Sequence, residues 1–235
     1  MFIGHYSAAF ALKTEKSIIP LWALFIAVQF MDIIWGILVL FGIEKIRIDP
    51  GISGPGALEL TFTPYTHSLG GALAWSVIAV VLYSALQVSR VSRDDAGRLG
   101  IAVLSHWFLD FIVHPDLSLY GDPAKVGLGL AQYAYQAFFV EVLLLFVGVL
   151  FYLRRNAEVP ERRKVAVIAF GLVMILIQAA GSFTGKPFQS GTLLATVNLA
   201  LYAAFAGVMF LIERERKTNN RTVGFQGITT VDSQG

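Results

Sequence analysis

Along the chain, runs of nearly unbroken apolar residues alternate with shorter segments rich in charge, glycine and proline. The runs cover about residues 18–42, 69–89, 99–115, 127–153, 164–184 and 191–212. Crossing a bilayer takes roughly 20 residues of helix, so each run predicts a membrane span and the simplest count is six. The opening stretch, MFIGHYSAAFALKTEK, carries a shorter apolar pattern. It lacks the basic start and small-residue cleavage site of a secretory signal, which predicts a retained short N-terminal helix.

The longest loop, residues 43–66, contains Pro50, Gly51, Gly54, Pro55, Gly56 and Pro64 and breaks helix repeatedly. Within it LELTFT alternates apolar and polar over 58–63, predicting a short strand or extended segment that leads into the second span. The remaining loops are short, as neighbouring antiparallel helices require. With no repeat and no shift of composition, residues 1–212 read as one transmembrane domain. The polar tail Glu213–Gly235 has few large apolar residues and is predicted to be disordered. The fold class is therefore all-α: a polytopic transmembrane helical bundle of about six spans plus a short N-terminal helix.

Composition agrees, with 56% hydrophobic and 14% charged residues and a mean hydropathy of +0.66, values of an integral membrane protein whose first partner is the lipid bilayer. The chain has no cysteine, so a disulfide framework and a thiolate metal site are excluded and any metal must be held by His, Asp and Glu. Net charge is only +2, but 14 of the 18 basic residues fall in four segments: Lys13 and Lys16; Arg90, Arg93 and Arg98; Arg154 to Lys164; and Arg214 to Arg221. The opposite loops keep Lys45, Arg47, Lys125 and Lys186. The positive-inside rule then predicts a multi-pass protein with both termini cytoplasmic, and a bacterial inner (plasma) membrane is the expected location. The basic runs are short, flank apolar spans and carry no interleaved aromatics, which argues against nucleic-acid binding.

Ionisable residues inside a membrane are costly and mark functional positions by default. Here they are Asp32, His106, Asp110 and Glu141, with His67, His114 and Asp116 at the outer boundary and His5 on the N-terminal helix. In LGIAVLSHWFLDFIVHP, His106, Asp110 and His114 stand four apart, so they share one helix face. Such a stripe suits a divalent cation such as Zn²⁺ or Mn²⁺, or a His–Asp hydrogen bond between helices. Asp32 lies roughly 21 Å along its helix and Asp110 roughly 24 Å along its own at 1.5 Å per residue, so the two carboxylates can share a plane. A buried carboxylate needs a cation or a proton, and a protonated interhelical donor is the structural alternative for Asp32. His67, in TPYTHSLGGAL, sits where Thr66 or Ser68 can cap the second span. His5 belongs to a run too short to span, and it reaches the other histidines only if that run dips into the bundle. Glu141 is open between ligand, general base and proton carrier.

Three stretches, GHYSAAFALK, PYTHSLGGAL and LSHWFLDFIVHP, resemble the YdjM-type membrane-bound metal-dependent hydrolases. The resemblance covers the first half of the chain; the second half is similar only as apolar helix. That family is similar in turn to the all-helical superfamily of zinc-dependent phospholipase C and single-strand nucleases. The resemblance implies that His5, Asp32, His67, His106 and Asp110 are ligands to divalent metal, Zn²⁺ by preference, and that Asp110 bridges two ions. The family's Asp-x-Asp is here Asp32-Ile33-Ile34, and its Arg-Gly before Thr-His-Ser is Pro64-Tyr65. The implied activity is hydrolysis of a phosphoester by a metal-activated water, and a site near the outer leaflet favours a lipid-linked or amphiphilic substrate. Beside the resemblance, Asp110 and Glu141 are the candidate catalytic residues and His114 a further candidate ligand at the rim. Three other readings stay open: a proton- or cation-coupled transporter using the intramembrane carboxylates, haem binding by facing histidines, and a scaffold whose polar groups only hold helices together.

Overall fold

A computed structural model describes residues 1–49, 57–86, 91–120, 124–183 and 188–214. Eight α-helices occur among these residues: α1 (Tyr6–Leu12), α2 (Leu21–Val28), α3 (Phe30–Leu40), α4 (Leu69–Leu86), α5 (Arg93–Val113), α6 (Ala134–Arg155), α7 (Glu161–Phe183) and α8 (Gly191–Arg214). Helices α4 to α8 are each long and apolar enough to cross a membrane, and α2 and α3 together pass the same test but are bent by 51°, as a broken span or a re-entrant loop is. The all-α multi-pass bundle expected from the sequence is the fold observed.

Helix ends follow local chemistry more than apolar content. α5 starts at Arg93, ahead of its apolar run, because the Ser92 hydroxyl accepts from the Asp95 amide and Asp94 and Asp95 occupy the first turn. α6 starts at Ala134, later than the expected 127, because Gly127 and Gly129 take φ of 133° and 70°, which only glycine adopts freely, and a 3₁₀ turn follows at Leu130–Gln132. The Glu213 carboxylate accepts from the amides of Leu21 and Trp22, so the last turn of α8 caps the first turn of α2. The tail beyond Arg214, expected to be disordered, lies outside the described residues, as do residues 87–89 of the second predicted span.

The strand expected at 58–63 is β2 (Leu58–Phe62). Its antiparallel partner β1 (Lys45–Ile48) pairs Arg47 with Glu59 and Ile48 with Leu58. A second pair, β3 (Leu117–Ser118) with β4 (Lys125–Val126), lies between α5 and α6. The Asp116 carboxylate ties the two pairs together by accepting from the Leu60 amide. It is held below the usual carboxylate range: burial pushes it up, and His114 and the backbone amides pull it further down.

The core is aromatic. Phe10 meets Phe25 edge-on at 5.2 Å, and Phe170 meets Phe205 at 5.4 Å, a packing that adds to the area buried. Helix α1 is part of this core, with Tyr6 and Phe10 fully buried, as is Ile3 in the 3₁₀ turn just ahead of it. It lies against α6 at Gly148, where a Cβ would fall 2.6 Å from the Ser7 Cα. Its C-terminal carbonyls are met by side chains from the basic segments: Arg98 to Leu12 O at 3.1 Å, Arg155 to Ala11 O at 2.9 Å and Asn156 to Lys13 O at 3.1 Å. The described basic residues Arg98 and Arg155 therefore meet at one end of the bundle, that of the α1 C-terminus. Met1 does not: its amino nitrogen is inside, 2.6 Å from Asp110 Oδ1. The first segment buries Ile3, Tyr6, Ala9 and Phe10 in the core instead of resting on a face. Outward, Leu73, Val77, Val81 and Leu86 of α4 are exposed, a surface suited to lipid.

Candidate metal centre

Four buried residues from three places converge. Asp32 comes from the first turn of α3, His67 from the turn before α4, and His106 and Asp110 from consecutive turns of α5. One ligand atom of each lies within 4.8 Å of the others. His106 Nε2 is 3.1 Å from Asp110 Oδ2 and 3.3 Å from Asp32 Oδ1; His67 Nε2 is 3.4 Å from Asp32 Oδ1 and 3.7 Å from Asp110 Oδ2. A tetrahedral ion with bonds of about 2.0–2.1 Å requires its ligands about 3.3–3.4 Å apart. The quartet can hold a metal ion.

Hydrogen bonding on the far side of each ring fixes its orientation. His106 Nδ1 is 2.7 Å from the Val28 carbonyl, at the bend between α2 and α3. A carbonyl only accepts, so Nδ1 carries the hydrogen and Nε2 turns to the carboxylates. His67 Nδ1 is 2.9 Å from the Thr66 hydroxyl, and that hydroxyl donates to Glu44 Oε2 at 2.6 Å. His106 Nε2 is fully buried beside two carboxylate oxygens yet makes no hydrogen bond. Two imidazole edges and two carboxylates facing one point form a donor set for borderline cations.

Asp110 works on two sides. Oδ2 faces the quartet, while Oδ1 faces His5 Nε2 at 3.2 Å and the Met1 nitrogen at 2.6 Å. The His5 ring stacks on His106 at 3.8 Å, and neither of its nitrogens makes a hydrogen bond. The short first segment does dip into the bundle, which brings His5 to the other histidines. Asp32 is oriented from the second half of the chain, where the Tyr202 hydroxyl of α8 donates to Oδ2 at 2.7 Å.

His114 departs from the expected stripe. It is the C-cap of α5, its amide still donating to Asp110 O at 2.8 Å, but the backbone turns extended after it (ψ 136°) and brings Asp116 beside its ring. Its Nδ1 is 3.6 Å from Asp116 Oδ1, and it stands outside the quartet. Glu141 also stands outside it, accepting from the amides of Phe2 at 2.8 Å and Gly4 at 3.1 Å and from Gln178 at 3.1 Å.

A cavity of about 210 Å³ adjoins the centre. Asp32, His67, Asp110, His114 and Glu141 line it beside Trp35, Leu58, Leu60, Phe188 and Leu194, with Gln178, Ser182 and Asn198 opposite. Sequence reasoning did not find Tyr202, Gln178 or Glu44. A single hydroxyl or amide in an apolar helix carries no signal, and a glutamate next to a loop reads as surface charge. Comparison with protein-family models, with curated proteins and with solved structures gives no match.

Proposed function

We propose that this chain is a membrane-embedded metal-dependent hydrolase of the YdjM type, acting on a phosphoester of a lipid-linked or amphiphilic substrate. One observation carries the reading. Both His67 and His106 have Nδ1 engaged from behind, so their Nε2 atoms face Asp32 and Asp110 with ligand spacing. A bound divalent ion such as Zn²⁺ supplies a water of lowered pKa and charge to offset the phosphoryl oxygens.

In this reading Asp32, His67, His106 and Asp110 would hold the ion, and Asp110 Oδ1, with His5 and the Met1 nitrogen beside it, would lie on the far side of that carboxylate. Glu141 is the proton acceptor: three of its roughly four lone-pair positions are taken, which leaves one for a water in the cavity it lines. The cavity is smaller than the roughly 300 Å³ at which ordinary ligand pockets begin. It therefore suits a headgroup, with the rest of an amphiphile outside it. The basic end of the bundle is assigned to the cytoplasmic side of a bacterial inner membrane, which puts the centre toward the outer half.

Metal analysis of detergent-purified protein tests the reading. Stoichiometric Zn²⁺ or Mn²⁺ in the wild type and its loss in His106→Ala are expected; metal content equal in the two would overturn it. The second reading, a proton- or cation-coupled transporter, draws on the same 3.1–3.4 Å imidazole–carboxylate spacings, which a proton also bridges. It calls for pH-driven uptake in proteoliposomes and no bound metal.

A further inference from the structure

Glu44 is a charged residue outside the quartet, 1% exposed, and the reaction outlined above gives it no part. It follows α3, its amide donating to Leu38 O at 3.3 Å, and it reaches across to the turn that carries His67. Its Oε1 accepts from the amides of Tyr65 at 2.9 Å and Thr66 at 3.0 Å; its Oε2 accepts from the Thr66 hydroxyl at 2.6 Å. A buried carboxylate is tolerated only when fully hydrogen-bonded, and here three donors meet it.

The direction of those bonds matters for the centre. A carboxylate accepts only, so the Thr66 hydroxyl spends its one hydrogen on Glu44. Facing His67 Nδ1 at 2.9 Å, it can then only accept. His67 is thereby held in the tautomer with hydrogen on Nδ1 and a lone pair on Nε2, the atom that faces Asp32 and Asp110. Val28 O does the same for His106 directly. His67 sits in a turn instead of a helix and needs a partner to set its ring, and Glu44 with Thr66 supplies one.

We propose that Glu44 is a positioning residue that acts through the Thr66 hydroxyl to hold His67 as a metal ligand. This rests on the metal-centre reading above. Orienting partners of this kind typically contribute 10–100-fold in metal affinity.

Glu44→Gln is the sharpest variant. Its amide oxygen can still accept from both backbone amides, so the turn keeps its anchor. Its NH₂ would face the Thr66 hydroxyl and donate to it, freeing the hydroxyl hydrogen for His67 Nδ1 and favouring the wrong tautomer. Zn²⁺ affinity is measured by chelator competition on the full-length, detergent-purified protein, and histidine tautomers are read from ¹⁵N shifts of the metal-free protein. Expected are a loss of about 10–100-fold in Zn²⁺ affinity for Glu44→Gln and Thr66→Val, wild-type affinity for Thr66→Ser, and a His67 signal moving from the Nδ1-H to the Nε2-H pattern in Glu44→Gln with an unchanged metal-free melting temperature. Wild-type affinity and an unmoved His67 signal in Glu44→Gln would overturn the relay while leaving the metal centre standing. A wild type that binds no Zn²⁺ would overturn the metal reading, and the tautomer signals would still decide the relay. Should Glu44→Gln fail to fold, Thr66→Val against Thr66→Ser decides it: equal losses in both would sink the proposal.

Discussion

Helices α5 and α8 are both apolar, both longer than 20 residues and both able to cross a membrane, yet they contribute to the centre in opposite ways. α5 brings His106 and Asp110 into direct contact with the site. α8 brings one hydroxyl, Tyr202, which donates to Asp32. Groups that face the cation position are ionisable types within apolar runs and stand out from that background; the groups that orient them are a hydroxyl, a backbone carbonyl or, in Glu44, a carboxylate beside a loop, and do not. The division runs through the chain. Residues before about 115 supply every candidate ligand, and α6 to α8 supply the far wall of the cavity and much of the support.

The largest effect expected is on α5. Asp110→Asn removes the carboxylate facing both the quartet and His5, and bound metal should fall below detection by elemental analysis, along with any hydrolysis of phosphodiester lipids. Metal retained at wild-type stoichiometry would mean that α5 is no more central than α8.

Support from the second half is next. Glu141→Ala leaves the buried amides of Phe2 and Gly4 without acceptors, each costing about 1–3 kcal/mol, and should lower the thermal midpoint and loosen the N-terminal turn. Hydrogen exchange at Phe2 to Tyr6 reads that directly; unchanged protection would show that Glu141 does not hold the turn. Tyr202→Phe deletes a single hydrogen bond to Asp32, and an affinity loss of about tenfold for Zn²⁺ is expected with the fold intact. If Tyr202→Phe matched Asp110→Asn, the separation of ligand from orienting residue would collapse.

The smallest effect is expected outside the spans, at Asp116. Its carboxyl is held below the usual value by His114 and backbone amides despite partial burial, so it stabilises the charged form of the clamp. A group with a depressed folded pKa contributes above its unfolded pKa, about 4, and loses that contribution as pH falls through the folded value. The Leu60 amide should therefore stay protected from exchange at pH 5, with protection fading only on further acidification. Protection already lost at pH 5 would mean that the clamp is not the charged carboxylate.

Much of the bundle was legible from one-dimensional pattern. Five of the apolar runs became helices long enough to cross a membrane and the first a bent helix pair, since apolar surroundings favour backbone hydrogen bonds closed within the helix, and the alternation in LELTFT gave a strand for the reason that side chains of a strand alternate faces. Departures came where local chemistry overrode hydropathy: positive-φ glycines delayed α6, and the break at Gln29 bent the first span. His114 stays beside the cavity but outside the quartet, because the chain turns extended after it and sets Asp116 next to its ring.

By itself the sequence determined that the chain is a multi-pass helical membrane protein and that His5, Asp32, His67, His106, Asp110 and Glu141 are the groups needing a reason to be buried. Hydropathy and charge cost are properties of each residue and its near neighbours, so they can be read without a fold. Only the tertiary structure decided which of those groups meet, that the first segment enters the core, and that Glu44, Thr66, Tyr202 and the Val28 carbonyl orient the rest. Those are matters of distance and bond direction between residues up to 170 positions apart, and they exist only once the helices are packed.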